Sequence, residues 1–334
     1  MNALAAMILS LIVLGSGGLV FAHPGTGIVI ADDGTIYFAY GPGHRIWKVT
    51  PDGAASELVV GRIDSDFRVP HCVVPDGEGN ILTASDVRSV VWRIRPDGSK
   101  TTIYPPDNWD GVGTVGLGGD PFTLAPDGRI LSILGDQPDA FSRLVLISLD
   151  GKVTPLAGEA RGFADGQGEE ARFGYLTLSS FAWGPDGSLY LTDEGRAMRR
   201  VTMQGNVTTI AGGAEQGMRD AKGAEARFQG AAGLTVAPEG TIYVADAAAH
   251  RIRRIAPDGE VTTIAGTGER GSADGPGDEA SFDEPFGVTR AEDGTLYILE
   301  YAFGPAGEFV RIRRIDADHS VTTHAIIDAE RIAG

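Results

Sequence analysis

The chain has 334 residues, of which 42% are hydrophobic, enough for a large core and too many for a disordered protein. Its 45 Asp and Glu outweigh 28 Lys and Arg, and the formal charge of -17 repels phosphate backbones, which argues against nucleic acid as a partner. The single cysteine, Cys72, excludes an internal disulfide.

The chain opens on an apolar run, then glycines, then Val20-Phe21-Ala22, a small-residue cleavage pattern before His23. The expectation is a signal peptide at 1–22 and a secreted or periplasmic mature chain at 23–334. The opening segment has no Lys or Arg, so retention as a membrane anchor is the alternative. No later stretch is apolar for long enough to cross a bilayer. Asn206-Val207-Thr208 matches a glycosylation sequon, relevant only in a eukaryotic secretory pathway.

From there a glycine followed by an apolar strand start recurs six times, at Gly34, Gly79, Gly128, Gly187, Gly240 and Gly294, with spacings of 45, 49, 59, 53 and 54 residues. The fifth unit parses most easily. Runs at 233–236, 242–246, 251–255 and 261–264 are each β-prone and bounded by Pro, Asp and Gly turns. A four-stranded antiparallel unit cannot cover both of its faces alone, so six units stack around an axis. This predicts an all-β, six-bladed β-propeller of four antiparallel strands per blade, starting in an inner strand and ending in an outer one near 321–326. The ring then closes by packing of the first unit on the last, without an exchanged strand.

The run Tyr243-Val244-Ala245-Asp246 through His250-Arg251-Ile252 resembles the NHL repeat signature. Loops of the form Ala164-Asp165-Gly166 to Phe173, Asp220-Ala221 to Phe228 and Ala273-Asp274-Gly275 to Phe282 resemble the blade connections of secreted NHL-repeat proteins. In them Asp is expected to cap, Gly to supply positive φ and Phe to plug between blades. The opening 23–29 is similar to exported bacterial NHL proteins. The resemblance covers residues 24 to 326, but Tyr40, Ser85 and Leu134 stand in the first three units where Asp193, Asp246 and Glu300 stand later.

In such a fold the residues just before each inner strand surround one channel mouth, together with the links from second to third strand. Aligned on the turn glycines, these are Thr26, His71, Asp120, Ser179, Ala232 and Phe286, with Glu284 two residues upstream. Imidazole serves as metal ligand or proton carrier, so His71 is a candidate, and a mouth histidine satisfied by backbone is its ordinary alternative. His23, if freed by cleavage, offers an amine and an imidazole nitrogen that suit copper or zinc. The candidate metal set is thus His23, His71, Asp120 and Glu284, for calcium, zinc or copper. Asp193, Asp246 and Glu300 end second strands, where a carboxylate holds the following turn or forms a ligand- or calcium-binding rim. The arginine runs 251–254 and 311–314 are expected to point partly between blades toward acidic neighbours. His44 and His250 hold matching positions and read as repeat features.

Resemblance to NHL-like amidating lyases implies three zinc-binding histidines, of which this chain offers only His71. Resemblance to gluconolactonase-like propellers implies acidic and Asn ligands at the mouth, and the Asn are missing. No nucleophile elbow or phosphate loop is present. The expected function is therefore a monomeric, exported binding module for a protein, peptide or glycan at the channel mouth. The alternative is a divalent-metal-dependent lyase or hydrolase using His71, Asp120 and Glu284.

Overall fold

The computed structural model describes residues 27–40, 45–61, 72–84, 90–105, 121–134, 143–176, 179–304 and 307–328. The segment 1–22, His23, His71 and Asp120 lie outside them. Six antiparallel sheets follow one another as blades of a six-bladed β-propeller, each of four strands, with a further two-residue strand added to the outer edge of the fourth.

Blade 1 comprises β1 (Ile28–Ile30), β2 (Ile36–Tyr40), β3 (Arg45–Val49) and β4 (Ala55–Val60). Blade 2 comprises β5 (Val74–Pro75), β6 (Ile81–Ala84), β7 (Val91–Ile94) and β8 (Lys100–Tyr104), and blade 3 β9 (Thr123–Leu124), β10 (Ile130–Leu134), β11 (Arg143–Ile147) and β12 (Val153–Ala157). A connection carrying the short strands β13 (Ala160–Arg161), β14 (Gly166–Gln167) and β15 (Arg172–Phe173) leads to blade 4, built from β16 (Phe181–Trp183), β17 (Leu189–Asp193), β18 (Ala197–Val201) and β19 (Asn206–Gly212). Blade 5 has β20 (Ala231–Val236), β21 (Ile242–Asp246), β22 (Arg251–Ile255) and β23 (Val261–Ala265). Blade 6 has β24 (Pro285–Arg290), β25 (Leu296–Gly304), β26 (Gly307–Ile315) and β27 (Val321–Ile327).

The recurring turn explains the repeat. In the first hairpin Gly34 adopts φ 80, its N–H bonds to the Ala31 carbonyl, and Asp33 accepts the Thr35 N–H at 2.9 Å. Only glycine takes that backbone without strain, so the turn glycine is the fixed point of each unit.

Between blades the apolar side chains form six core clusters, one for each blade-to-blade interface. Phe173, Phe228 and Phe282 are fully buried, each in the cluster joining its own blade to the preceding one. The closing cluster packs Ile28, Phe38 and Trp47 of blade 1 against Phe286, Leu299 and Ile312 of blade 6. There Tyr301 donates a hydrogen bond from its hydroxyl to the Ala39 carbonyl at 2.7 Å. Among the described residues the first strand is an inner one and the last an outer one, and blades 6 and 1 meet without an exchanged strand.

One irregularity repeats in every blade. The register between third and fourth strands slips by a residue immediately before Trp47, Trp92, Val145, Arg199, Arg253 and Arg313. A bulge of this kind increases twist and re-aims the side chain beside it. All six side chains are buried, apolar in blades 1–3 and cationic in blades 4–6.

Candidate functional site

Those three arginines define how the second half of the ring is held. Arg199 pairs with Asp193 at 2.6 Å, Arg253 with Asp246 at 2.9 Å, and Arg313 with Glu300 at 3.7 Å, the last shared with Arg311 at 3.2 Å. A second carboxylate reaches each from the blade's entry loop: Asp165, Asp220 and Asp274. These loop carboxylates also accept the N–H and hydroxyl of Thr209, Thr263 and Thr323 on the outer strands. Each guanidinium also lies near the plug phenylalanine, with centroid distances of 5.2 Å to Phe173, Phe228 and Phe282. Entry loop, third strand and outer strand are thereby clipped together in each of blades 4–6.

Burial raises the pKa of Asp193 to about 6, against the pull of Arg199, and raises those of Asp246 and Glu300. All three side chains have no exposed surface. As placed, Asp193, Asp246 and Glu300 are wall residues saturated by arginine and backbone N–H groups, and they present nothing to a rim ligand. They occupy equivalent places on three blades and do not converge. Among the described residues no three His, Cys, Asp or Glu side chains form a metal-holding group. The arginine runs also divide: Arg253 and Arg313 are fully buried, whereas Arg254 and Arg314 are partly exposed.

The channel mouth is built by links between successive blades. The Gly195 carbonyl of blade 4 accepts the Ala231 N–H at the entry of blade 5, at 2.7 Å. Next, His250 of blade 5 accepts the Glu284 N–H at the entry of blade 6 through Nδ1, at 3.1 Å. Blade 6 reaches blade 1 through Tyr301. The rim of blades 4, 5, 6 and 1 is therefore a bonded arc.

Three of the four described non-glycine residues with positive φ lie on this arc: Glu194 (φ 49), His250 (φ 52) and Glu284 (φ 50). Each costs on the order of 1 kcal/mol of backbone strain, and such strain persists where the surroundings over-determine it. The Glu194 carboxylate is cradled by the Tyr175 N–H at 3.2 Å, Arg161 at 3.2 Å and Arg196. Arg270 bridges Asp283 at 2.6 Å and Glu284 at 3.8 Å, and the Glu284 side chain is 41% exposed.

Of the candidates read from sequence, Glu284 alone is seen at the mouth with an accessible side chain. Ser179 is buried, with its hydroxyl unpartnered among the described residues, and its N–H bonds to the Leu176 carbonyl. His23, His71 and Asp120 lie outside the described residues. Reasoning from sequence missed His250, set aside as a repeat feature, and the Arg161–Glu194–Arg196 cradle. The signal available was an imidazole at a position that could reach the following blade. A cavity of about 370 Å³ lies between the outer strand of blade 5 and the loop entering blade 6, lined by Arg251, Thr263 and Asp278 among others.

The NHL repeat model matches residues 228–255, the stretch holding Phe228, Asp246, His250 and Arg253. A 134-residue stretch is 33% identical to Protein SUPPRESSOR OF QUENCHING 1, chloroplastic, of Arabidopsis thaliana, spanning 36% of this chain and 13% of that protein's length. Among solved structures, an auxiliary nutrient binding protein of Bacteroides ovatus matches with a TM-score of 0.61 at 15% identity, covering 91% of this chain and 69% of the other. Virginiamycin B lyase of Staphylococcus aureus matches with a TM-score of 0.53 at 16% identity, covering 93% and 87%. At these identities the structural matches speak for the fold alone.

Proposed function

For a chain that is a six-bladed NHL-repeat β-propeller, we propose that the channel mouth is a recognition surface for a protein, peptide or glycan, presented outside the cytoplasm after removal of residues 1–22. The observation that carries this reading is the concentration of strained, ionisable residues on one arc. A rim needed only for closure could use glycine or asparagine at Glu194, His250 and Glu284, and would avoid the strain. Here side chains with hydrogen-bonding and charged groups take those places. His71 and Asp120 stand at the equivalent entry positions of blades 2 and 3 and are proposed to complete the surface.

The auxiliary nutrient binding protein shares the fold, which suits a binding role. No observation on this arc favours the metal-dependent alternative. Acidic charge overall disfavours nucleic acid, and the chain is proposed to act as a monomer.

The test compares capture on peptide and glycan arrays by the intact protein with capture by Arg161→Ala and Arg270→Ala variants. A turn variant on the opposite face, Asp318→Ala, serves as control. Loss of capture in the rim variants alone is the expected result. Equal capture by all of them would overturn the reading.

A further inference from the structure

Two residues before the third-strand bulge, four of the six blades carry an arginine: Arg45, Arg143, Arg251 and Arg311. Three of these meet a carboxylate, Arg45 on Glu57 at 2.9 Å, Arg143 on Glu159 at 3.1 Å and Arg311 on Glu300 at 3.2 Å. Arg251 meets none among the described residues. Its Nη2 donates to the Thr267 carbonyl at 3.0 Å, and its Nε is shut off from solvent with no acceptor among the described residues. A guanidinium is always charged and carries several N–H donors, so this one is left short of an anion.

Arg251 lines the cavity of about 370 Å³ between the outer strand of blade 5 and the loop entering blade 6. That volume lies within the range of small-molecule sites, about 300 to 1,000 Å³. On the loop side the cavity is lined by Asp278, an exposed residue whose carboxylate has no hydrogen bond or ion pair among the described residues. The backbone beside it is fixed. The Gly277 carbonyl accepts the Gly266 N–H at 2.8 Å, and Gly277 lies so close to the Ile264 carbonyl that no Cβ fits there. The other carboxylate on the cavity, Asp220, is already bonded to Arg253 and Thr263.

Arg251 and Asp278 thus line one cavity with opposite charges and form no ion pair with each other. The preceding junction, between blades 4 and 5, has alanine at both places. Ala197 stands two residues before the bulge, and Ala224 stands four residues before Phe228, as Asp278 does before Phe282. The repeat folds without either charge, so neither is needed for the junction itself.

The pair sets the charge of what fits. A plain anion is repelled by Asp278, and a plain cation by Arg251. A neutral molecule that displaces water leaves both charges without a counter-charge. A carboxylate and an ammonium on one small molecule satisfy both, the carboxylate matching the forked donors of a guanidinium. We infer that this cavity is a site for a small zwitterion of the amino-acid class, single or as a short peptide, with its carboxylate on Arg251 and its ammonium on Asp278. The site is separate from the channel mouth, and neither reading depends on the other.

Alanine and dialanine, each free, N-acetylated and C-amidated, would be titrated calorimetrically into the intact protein and its Asp278→Asn, Arg251→Gln and Arg161→Ala variants. The inference expects saturable binding of alanine, dialanine or both, which tells a single residue from a peptide. Blocking either end should lower affinity about tenfold or more. In Asp278→Asn the free and N-acetylated forms should bind alike while amidation still weakens binding, and in Arg251→Gln the reverse. Each variant keeps one of the two dependences, which shows that its cavity is still formed. Arg161→Ala, on the rim of blade 4, should bind as the intact protein does.

No saturation by either free ligand up to about 10 mM would overturn the inference. So would equal affinity of free and capped forms for the intact protein, or an unchanged end-group preference in both cavity variants. Binding lost in Arg161→Ala and kept in the cavity variants would move the ligand to the mouth and likewise overturn it.

Discussion

Replacing Arg253 by methionine tests the wall clip of blade 5. The guanidinium is 1% exposed and bonds Asp246, Asp220 and the Arg227 carbonyl. Its removal strands the Asp246 carboxylate in the wall with only the Gln229 and Gly230 N–H groups, and frees the entry loop from the third strand. Breaking a buried pair by deleting one partner costs about 3 to 5 kcal/mol. Protonation of Asp246, which burial already favours, limits the loss toward the lower figure. Blade 1 supplies the complementary construction, with Tyr40 and Trp47 where blade 5 has Asp246 and Arg253. Replacing both members of a buried ion pair by packed apolar groups is often neutral. Arg253→Trp with Asp246→Tyr should therefore recover at least about half of the single variant's loss, provided the larger rings fit. Urea unfolding followed by tryptophan fluorescence and by circular dichroism gives both differences. A loss below about 1 kcal/mol for Arg253→Met, or a double variant worse than the single, would refute the reasoning that desolvation dominates this site.

Phe282→Ala should destabilise by about 3 to 5 kcal/mol, because the ring is fully buried between blades 5 and 6; a calorimetric shift equal to that of a surface control would show otherwise. Asp193 holds its proton in the folded state up to about pH 6 and releases it near 3.8 when unfolded, so its contribution to stability falls as pH rises through that window. The stability of the protein relative to Asp193→Asn should accordingly drop by up to about 3 kcal/mol between pH 4 and pH 6 and stay level above it, as urea titrations at several pH values would reveal. Intact mass of the exported protein should correspond to a chain beginning at His23; recovery of the full-length chain in the membrane fraction would contradict the leader assignment.

The propeller was legible because its information is local. Turn glycines such as Gly34 and Gly240 require positive φ, and their spacing counts the blades. Phe173, Phe228 and Phe282 were legible for the same reason, since each recurs at one place in a short loop motif. The wall clip was legible in part: arginines in 251–254 and 311–314 do turn toward acidic neighbours, as expected, but which carboxylate each meets was not. Asp193, Asp246 and Glu300 look like turn or rim residues in a linear reading, and their arginine partners follow after links of unequal length. Only the common bulge shows that Arg199, Arg253 and Arg313 share one position with Trp47, Trp92 and Val145. His250 escaped for a different reason. Its partner, Glu284, lies 34 residues away in the next blade, and no periodicity within a unit encodes a bond between units.

The most direct test of the mouth as a recognition surface is hydrogen exchange by mass spectrometry on the intact protein, with and without the best ligand from the arrays. The account predicts added protection in the segments around 193–196, 247–251 and 283–287, with none at the opposite-face turns that carry Asp97, Asp258 and Asp318. Protection confined to those turns, or to the cavity residues Thr263 and Asp278, would contradict it.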